Sequence, residues 1–350
     1  MAMTIVEAER AVTGGVDTHL NVNVAAALND IGGLLEVREF PATKAGHVEL
    51  YCWLKKLGAV FRVGIEGTGS YGAGLARYLR SEGVEVVEVN RPNRQARRRS
   101  GKSDPIDAVE AARAALGGGA LGVPKARDGN VEAIRALVVA KRSGRSTRIK
   151  TLNQIRQLSF TAPEALRERL KDVSRTKLAA EAARLRPRPE YSGDAVTFAT
   201  KTALRALGQR VLFLDQEDAR LDALLSKLVR STAPELLGLY GVGVDTAAML
   251  LVAAGDNPER LRSEAAWAHL CGVAPIQASS GKVVRYRLDR GGDRQANCAL
   301  WHIVITRMSA DPRTQAYVAR RLEEGLSKPE IVRILKRYVA REVYRYLPRA

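Results

Sequence analysis

Val12-Thr13-Gly14-Gly15-Val16-Asp17-Thr18-His19 is an apolar, β-branched run with a carboxylate set where a core strand should bury an apolar side chain. Aspartate is depleted from strands because its charge is costly to bury and its side chain competes for the backbone. Asp17 therefore marks either a turn at a strand end or a residue kept for chemistry.

Reading outward, Val12 to Leu28 forms one Val- and Ala-rich run, and Leu34 to Phe40 follows the turn residues Asp30-Ile31-Gly32-Gly33, so the two runs are expected to pair as a hairpin. Lys44 to Lys56 sets His47, Leu50, Leu54 and Leu57 at helical spacing, and Gly58 closes that helix. A strand over Ala59 to Ile65 ends at Glu66, a helix over Tyr71 to Ser81 stops at Gly83, and Val84 to Val89 is another strand. A basic segment, Asn90 to Lys102, leads to a helix starting at Asp104. A hairpin followed by crossover helices between strands predicts a mixed sheet with helices on its faces, as in ribonuclease-H-like domains.

Asp17, Glu66, Asp104 and Asp107 interrupt apolar or basic sequence from separate elements, a pattern suited to a divalent-metal site for phosphoryl transfer. Each has a plainer use. Asp104 before Pro105 fits a helix N-cap, with Asp107 at the third helical position, where an acid suits the dipole. Glu66 opens Gly67-Thr68-Gly69-Ser70-Tyr71-Gly72, a literal G-x-G-x-x-G between strand and helix, with Glu88 on the next strand as a ribose acid. That dinucleotide alternative seats a carboxylate against a pyrophosphate and leaves Asp17, Asp104 and Asp107 without a role.

The 56 Lys and Arg against 38 Asp and Glu, a net charge of +18, favour a polyanionic partner, with nucleic acid foremost. No window reaches a membrane span's length of apolar residues and the first residues lack a secretory pattern, so a cytoplasmic protein without membrane contact is expected. Cys52, Cys271 and Cys298 have neither disulfide-framework nor zinc spacing and are expected to be buried thiols.

Arg94, Arg97, Arg98, Arg99 and Lys102 precede Asp104 with no acid among them and are placed to hold nucleic-acid backbone beside the acids; a solvated loop is the alternative. Val131 to Leu158 and Ala203 to Val229 are expected as long helices, joined through the Arg- and Pro-rich stretch Arg184 to Asp194 into an antiparallel hairpin or coiled coil. Lys141, Arg145 and Arg148 line one face of the first and count as further nucleic-acid contacts. Leu236 to Ala247 resembles a helix-hairpin-helix whose Gly241-Val242-Gly243 turn offers amides to a phosphate, or serves simply as a tight turn. Cys271 to Lys282 is a small-residue loop containing Ser279, Ser280 and Gly281, followed by Arg285 and Arg287. A serine there lacks a local His or Asp to activate it and reads as a turn residue unless cationic or metal chemistry lowers its pKa. The expected layout is α/β followed by α: a mixed-sheet domain over 10–125, a helical coiled-coil region over 126–230, and a mainly helical domain over 231–350.

Gly15-Val16-Asp17-Thr18-His19, Glu66 to Tyr71, Lys102-Ser103-Asp104-Pro105-Ile106-Asp107-Ala108, Gly272-Val273-Ala274-Pro275 to Gly281, and Arg290 to Asn297 occur in an order that resembles the IS110 family of insertion-sequence transposases. The resemblance runs over nearly the whole chain. It implies a RuvC-like domain whose DEDD acids are Asp17, Glu66, Asp104 and Asp107, binding magnesium or manganese. It also implies a second transposase domain with Ser280 as nucleophile, Ser279 being the neighbouring alternative. The function implied is DNA strand cleavage and rejoining by a dimer or tetramer guided by a structured RNA. A RuvC-like junction resolvase, with water in place of serine, is the nearest alternative.

Overall fold

The computed structural model describes residues 10–89, 103–118, 122–187, 194–281 and 286–348. They fall into two compact units, one built on residues up to 129 with 254–266, the other on 130–253 with 267–348.

The first unit is a five-stranded mixed sheet in the order β3-β2-β1-β4-β5. Its strands are β1 (Ala11–Thr18), β2 (Val22–Leu28), β3 (Leu34–Pro41), β4 (Ala59–Ile65) and β5 (Glu85–Glu88). The first three form an antiparallel meander, and β4 and β5 add in parallel on the other side of β1. The architecture is consistent with a ribonuclease-H-like domain. The run from Val12 to Leu28 is therefore two strands rather than one. Its break is a turn at His19-Leu20-Asn21, closed by the His19 amide donating to the Val22 carbonyl at 3.0 Å. Period-2 alternation does not reveal a turn without Gly or Pro, which is why the sequence alone merges the two strands.

Helices cover both faces. α1 (Lys44–Leu57), capped by the Thr43 side chain, buries Leu50, Trp53 and Leu54 with Val12, Val16, Val63 and Ile65, and α2 (Ala73–Ser81) adds Leu75 and Leu79 to the same core. On the opposite face lies α3 (Asp104–Gly117), whose buried residues are Asp107 and the alanines Ala108, Ala111, Ala112 and Ala115. Small residues on both partners let it approach closely: a Cβ on Gly15 would land on the backbone of Ala108 and Ala112, and one on Gly64 on the Ala111 carbonyl and Ala115.

In the second unit, α4 (Asn130–Phe160) and α7 (Ala195–Thr232) are the two long helices and pack along each other. Between them the chain forms α5 (Glu164–Lys171) and α6 (Leu178–Ala183), which share a core of Leu152, Ile155, Leu166, Leu170, Leu178, Leu204 and Val211. These two helices precede the expected loop Arg184 to Asp194, whose described residues 184–187 and 194 are not helical. α8 (Pro234–Leu237), α9 (Val244–Ala254), α10 (Glu264–Leu270), the two-residue strands β6 (Ile276–Gln277) and β7 (Tyr286–Arg287), α11 (Arg294–Ala310), α12 (Pro312–Glu323) and α13 (Lys328–Tyr344) complete the chain. Cys271 is buried as expected, but Cys52 and Cys298 are exposed, because both sit on the outward stripe of a helix. Among the described residues no helix is long and apolar enough to cross a membrane.

Candidate metal centre and basic grooves

Side chains two residues apart on a strand point the same way, so Asp17 shares the face of Gly15 and Glu66 that of Gly64. Both glycines meet α3, and Val16 pairs with Ile65, so Asp17 and Glu66 stand side by side at the carboxyl ends of two parallel neighbours. The Glu66 amide donates to the Val16 carbonyl at 3.0 Å and its carbonyl accepts from Thr18 Oγ1 at 2.8 Å, which fixes the backbone there. Gly67, at φ 75°, then turns the chain away in a conformation that glycine adopts without strain.

The amino end of α3 meets this corner. Ser103 is the N-cap residue and helix residues begin at Asp104, so Asp104 does not take the capping position expected from the Asp-Pro pair. Its carboxylate instead lies 3.3 Å from Nε2 of His19, which is 3.2 Å from Asp17 Oδ2. One ligand atom from each of Asp17, His19 and Asp104 falls within 4.8 Å of the others. Asp107, one turn further on, is 3% exposed, and Asp17 is 8% exposed.

This packing of acids perturbs Asp17. Burial pushes its carboxyl above the ordinary value; His19 pulls it down, while Asp107 and Asp104 push it up again, and the net direction is upward. A carboxylate raised by burial and by neighbouring like charges is stabilised in its ionised form by a cation. Nε2 of His19 is shielded from solvent and satisfies hydrogen-bond geometry with neither carboxylate. Two buried acids, half-exposed Asp104, a positive helix end behind them and an imidazole nitrogen facing two carboxylates fit a divalent ion, which Asp17 and Asp104 would hold with His19, and with Asp107 and Glu66 nearby. His19 is the residue that sequence reasoning missed, although it stands two positions after Asp17 in the first motif.

The cationic positions divide. Arg94, Arg97, Arg98, Arg99, Lys102 and Arg285 lie outside the described residues. Lys141, Arg145 and Arg148 on α4 are engaged inside the second unit: Lys141 with Asp222, Arg145 with Asp218 at 3.0 Å and Arg148 with Asp215. As the α4 numbers rise the α7 numbers fall, so the helices are antiparallel. Asp245 on α9 adds bonds of 2.7 Å to Lys141 and 2.8 Å to Arg145. Burial works against charge on Lys141, but its bonds to Asp222 and Asp245 outweigh it and raise its pKa. At 3% exposure its ammonium is not a surface for phosphate. The four acids facing these cations are the signal that was overlooked: Asp215, Asp218 and Asp222 recur at i, i+3 and i+7 on α7.

Gly241 and Gly243 form the turn into α9, with Gly241 at φ 77° and the Gly243 amide donating to Thr246 Oγ1 at 3.0 Å. Ser279 and Ser280 are exposed at the end of β6. Arg287 on β7 lines a groove against α13 together with Arg333, Lys336, Arg337 and Arg341. Lys336 donates to Asn297 Oδ1 at 2.9 Å, and Asn297 Nδ2 donates to the carbonyls of Cys271 and Gly272, so the base of the serine loop is tied to α13. The i, i+4, i+8 spacing of Arg333, Arg337 and Arg341 was the sequence signal for this groove.

Two family models match this chain. Residues 14–159, which include all four acids, match a transposase model of the DEDD IS110 type, and residues 233–319 match the model described as transposase, IS116/IS110/IS902 family. The chain belongs to the IS110 transposase family. It is also 36% identical over 109 residues to the insertion element IS110 uncharacterized 43.6 kDa protein of Streptomyces coelicolor. That match takes in 31% of this chain and spans only 26% of that relative.

Proposed function

We propose that this IS110-family chain is a transposase that cuts and rejoins DNA strands, with Asp17, Glu66, Asp104 and Asp107 holding magnesium or manganese and Ser280 as nucleophile. The observation that carries the reading is the meeting of Asp17 and Asp104 at one sheet corner with Asp107 one turn further on, where burial first, and the charges of Asp107 and Asp104 next, raise Asp17. Bound there, a divalent ion supplies neutralisation of charge developing on a phosphodiester.

The chain's own residues supply the rest. Ser280 Oγ gives up its proton and forms a P–O bond as the bond to the leaving strand oxygen breaks, and that oxygen takes up a proton. The phosphoserine link conserves a phosphodiester, so a hydroxyl of the recipient strand rejoins DNA by the reverse exchange. Arg287 and the arginines of α13 flank the serine loop and are suited to holding strand backbone. Gly241 and Gly243 would present a helix-hairpin-helix turn to a second phosphate, and Arg94, Arg97, Arg98, Arg99, Lys102 and Arg285 would add backbone contacts. The antiparallel α4–α7 pair serves as a coiled-coil stalk for a dimer or tetramer, and the net charge of +18 leaves room for a structured guide RNA beside DNA in the cytoplasm.

The test is strand exchange on DNA carrying the element's ends, with co-purified RNA sequenced. Ser280→Ala should abolish rejoining and the covalent protein–DNA species, and Glu66→Gln should lose cleavage with DNA binding kept. Undiminished strand exchange by Ser280→Ala would remove the serine from the mechanism and favour a water-using resolvase.

A further inference from the structure

We infer that Nε2 of His19 is itself a metal ligand, making the centre a mixed nitrogen–oxygen site that prefers manganese to magnesium; this rests on the divalent-ion reading above. The turn closed by the His19 amide and the Val22 carbonyl ends β1 at this residue. His19 is two positions past Asp17, so both side chains leave the extended chain on the same face. The ring's outer edge is open to solvent, yet Nε2 is shielded and lies between Asp17 Oδ2 and Asp104 Oδ2. Nε2 lies 3.2 Å from Asp17 Oδ2 and 3.3 Å from Asp104 Oδ2, so the ring nitrogen and both carboxylates face one point without a strictly aligned N–H on either acid.

What this atom offers is a lone pair at the point on which two carboxylates converge. Magnesium demands near-octahedral oxygen coordination, whereas a nitrogen donor favours first-row transition ions, among which manganese shares magnesium's use of carboxylate ligands. Replacing one oxygen donor by His19 therefore moves the preference of the centre toward manganese. Asp107, buried one turn behind Asp104, keeps the electrostatic attraction for either ion.

The experiment uses the full chain in two measurements. Calorimetric titration with manganese and with magnesium gives both affinities for wild type, His19→Ala and Asp17→Asn. Pulsed electron paramagnetic resonance on the manganese complex, with histidine labelled with nitrogen-15, reads directly bound imidazole. The expected result is a histidine nitrogen coupling in wild type and in His47→Ala, absent in His19→Ala. Manganese affinity should fall at least about tenfold in His19→Ala, since even outer partners of ligands are worth that much, and magnesium affinity should fall less. The wild-type spectrum decides the matter even if His19→Ala folds poorly. Manganese binding that Asp17→Asn abolishes, but without histidine coupling, would overturn this inference and leave the carboxylate centre standing. Failure of wild type to bind either ion would overturn the divalent-ion reading and this inference together.

Discussion

Asp17 combines two demands that conflict: it is buried in a strand, and it faces two further acids. Because its folded pKa is raised, ionising it costs more in the folded chain than in the unfolded one. The contribution of Asp17 to stability is therefore highest below the ordinary carboxylate value, declines as pH rises through the window up to the raised folded value, and stays lower above it. Asp17→Asn removes that cost, so the metal-free variant should melt about 2 °C or more above wild type while losing strand cleavage. Thermal melts from pH 4 to 8 check this, since the gain should be present at neutral pH and shrink toward pH 4. Protons compete with the ion for the same group, so metal affinity should fall on acidification and begin to do so above the usual carboxylate range. Asp17 was legible in the sequence because a charge in an apolar strand has few structural uses. His19 was not, because its role depends on a turn that carries neither glycine nor proline.

Elements fix the distances on which these residues depend. Gly15 and Gly64 allow α3 to lie on the sheet, and the helix in turn sets Asp104 and Asp107 beside Asp17. Gly15→Ala adds a methyl group that must collide with the backbone of Ala108 and Ala112, so it should cost about 1–3 kcal/mol and weaken metal binding by displacing α3. Urea melts and metal titration read the two effects. The ion-pair ladder between α4 and α7 makes a second case. Asp245→Ala strips a partner from both Lys141 and Arg145 and should destabilise by about 1–3 kcal/mol, because buried Lys141 keeps only Asp222. Lys141→Met exchanges the buried ammonium for an apolar chain and leaves partly exposed acids, so it should cost less than about 1 kcal/mol. Equal losses in denaturant titrations of the two variants would contradict that asymmetry. Most strands and the first long helix were readable from periodicity within a few residues, since periodicity reports which face is buried, whereas β1 and β2 were merged and α7 starts eight residues before the expected Ala203. That α4 uses its cations internally was not readable, because a stripe of Lys and Arg has the same pattern whether it faces phosphate or a row of aspartates on a distant helix.

For the whole molecule the governing quantity is the excess of 18 positive charges, and the question is how many of them meet nucleic acid. With Lys141, Arg145 and Arg148 paired internally, that count should fall on other sites, among them Arg287 and the α13 arginines of the groove beside the serine loop. Each phosphate neutralised on duplex DNA contributes about 0.9 to the slope of log affinity against log salt. Replacing Arg287, Arg333 and Arg337 together by alanine should therefore flatten that slope by up to about 2.7 and weaken binding to all duplex sequences alike. Arg148→Ala should leave the slope unchanged, because its guanidinium already answers Asp215. Fluorescence-anisotropy titrations from 50 to 300 mM salt separate the two outcomes. A slope lowered by Arg148→Ala and untouched by the groove triple would move the DNA path from the serine loop to the helical stalk. The acids would keep their place at the sheet corner in either case, because their geometry is set by β1, β4 and α3 alone.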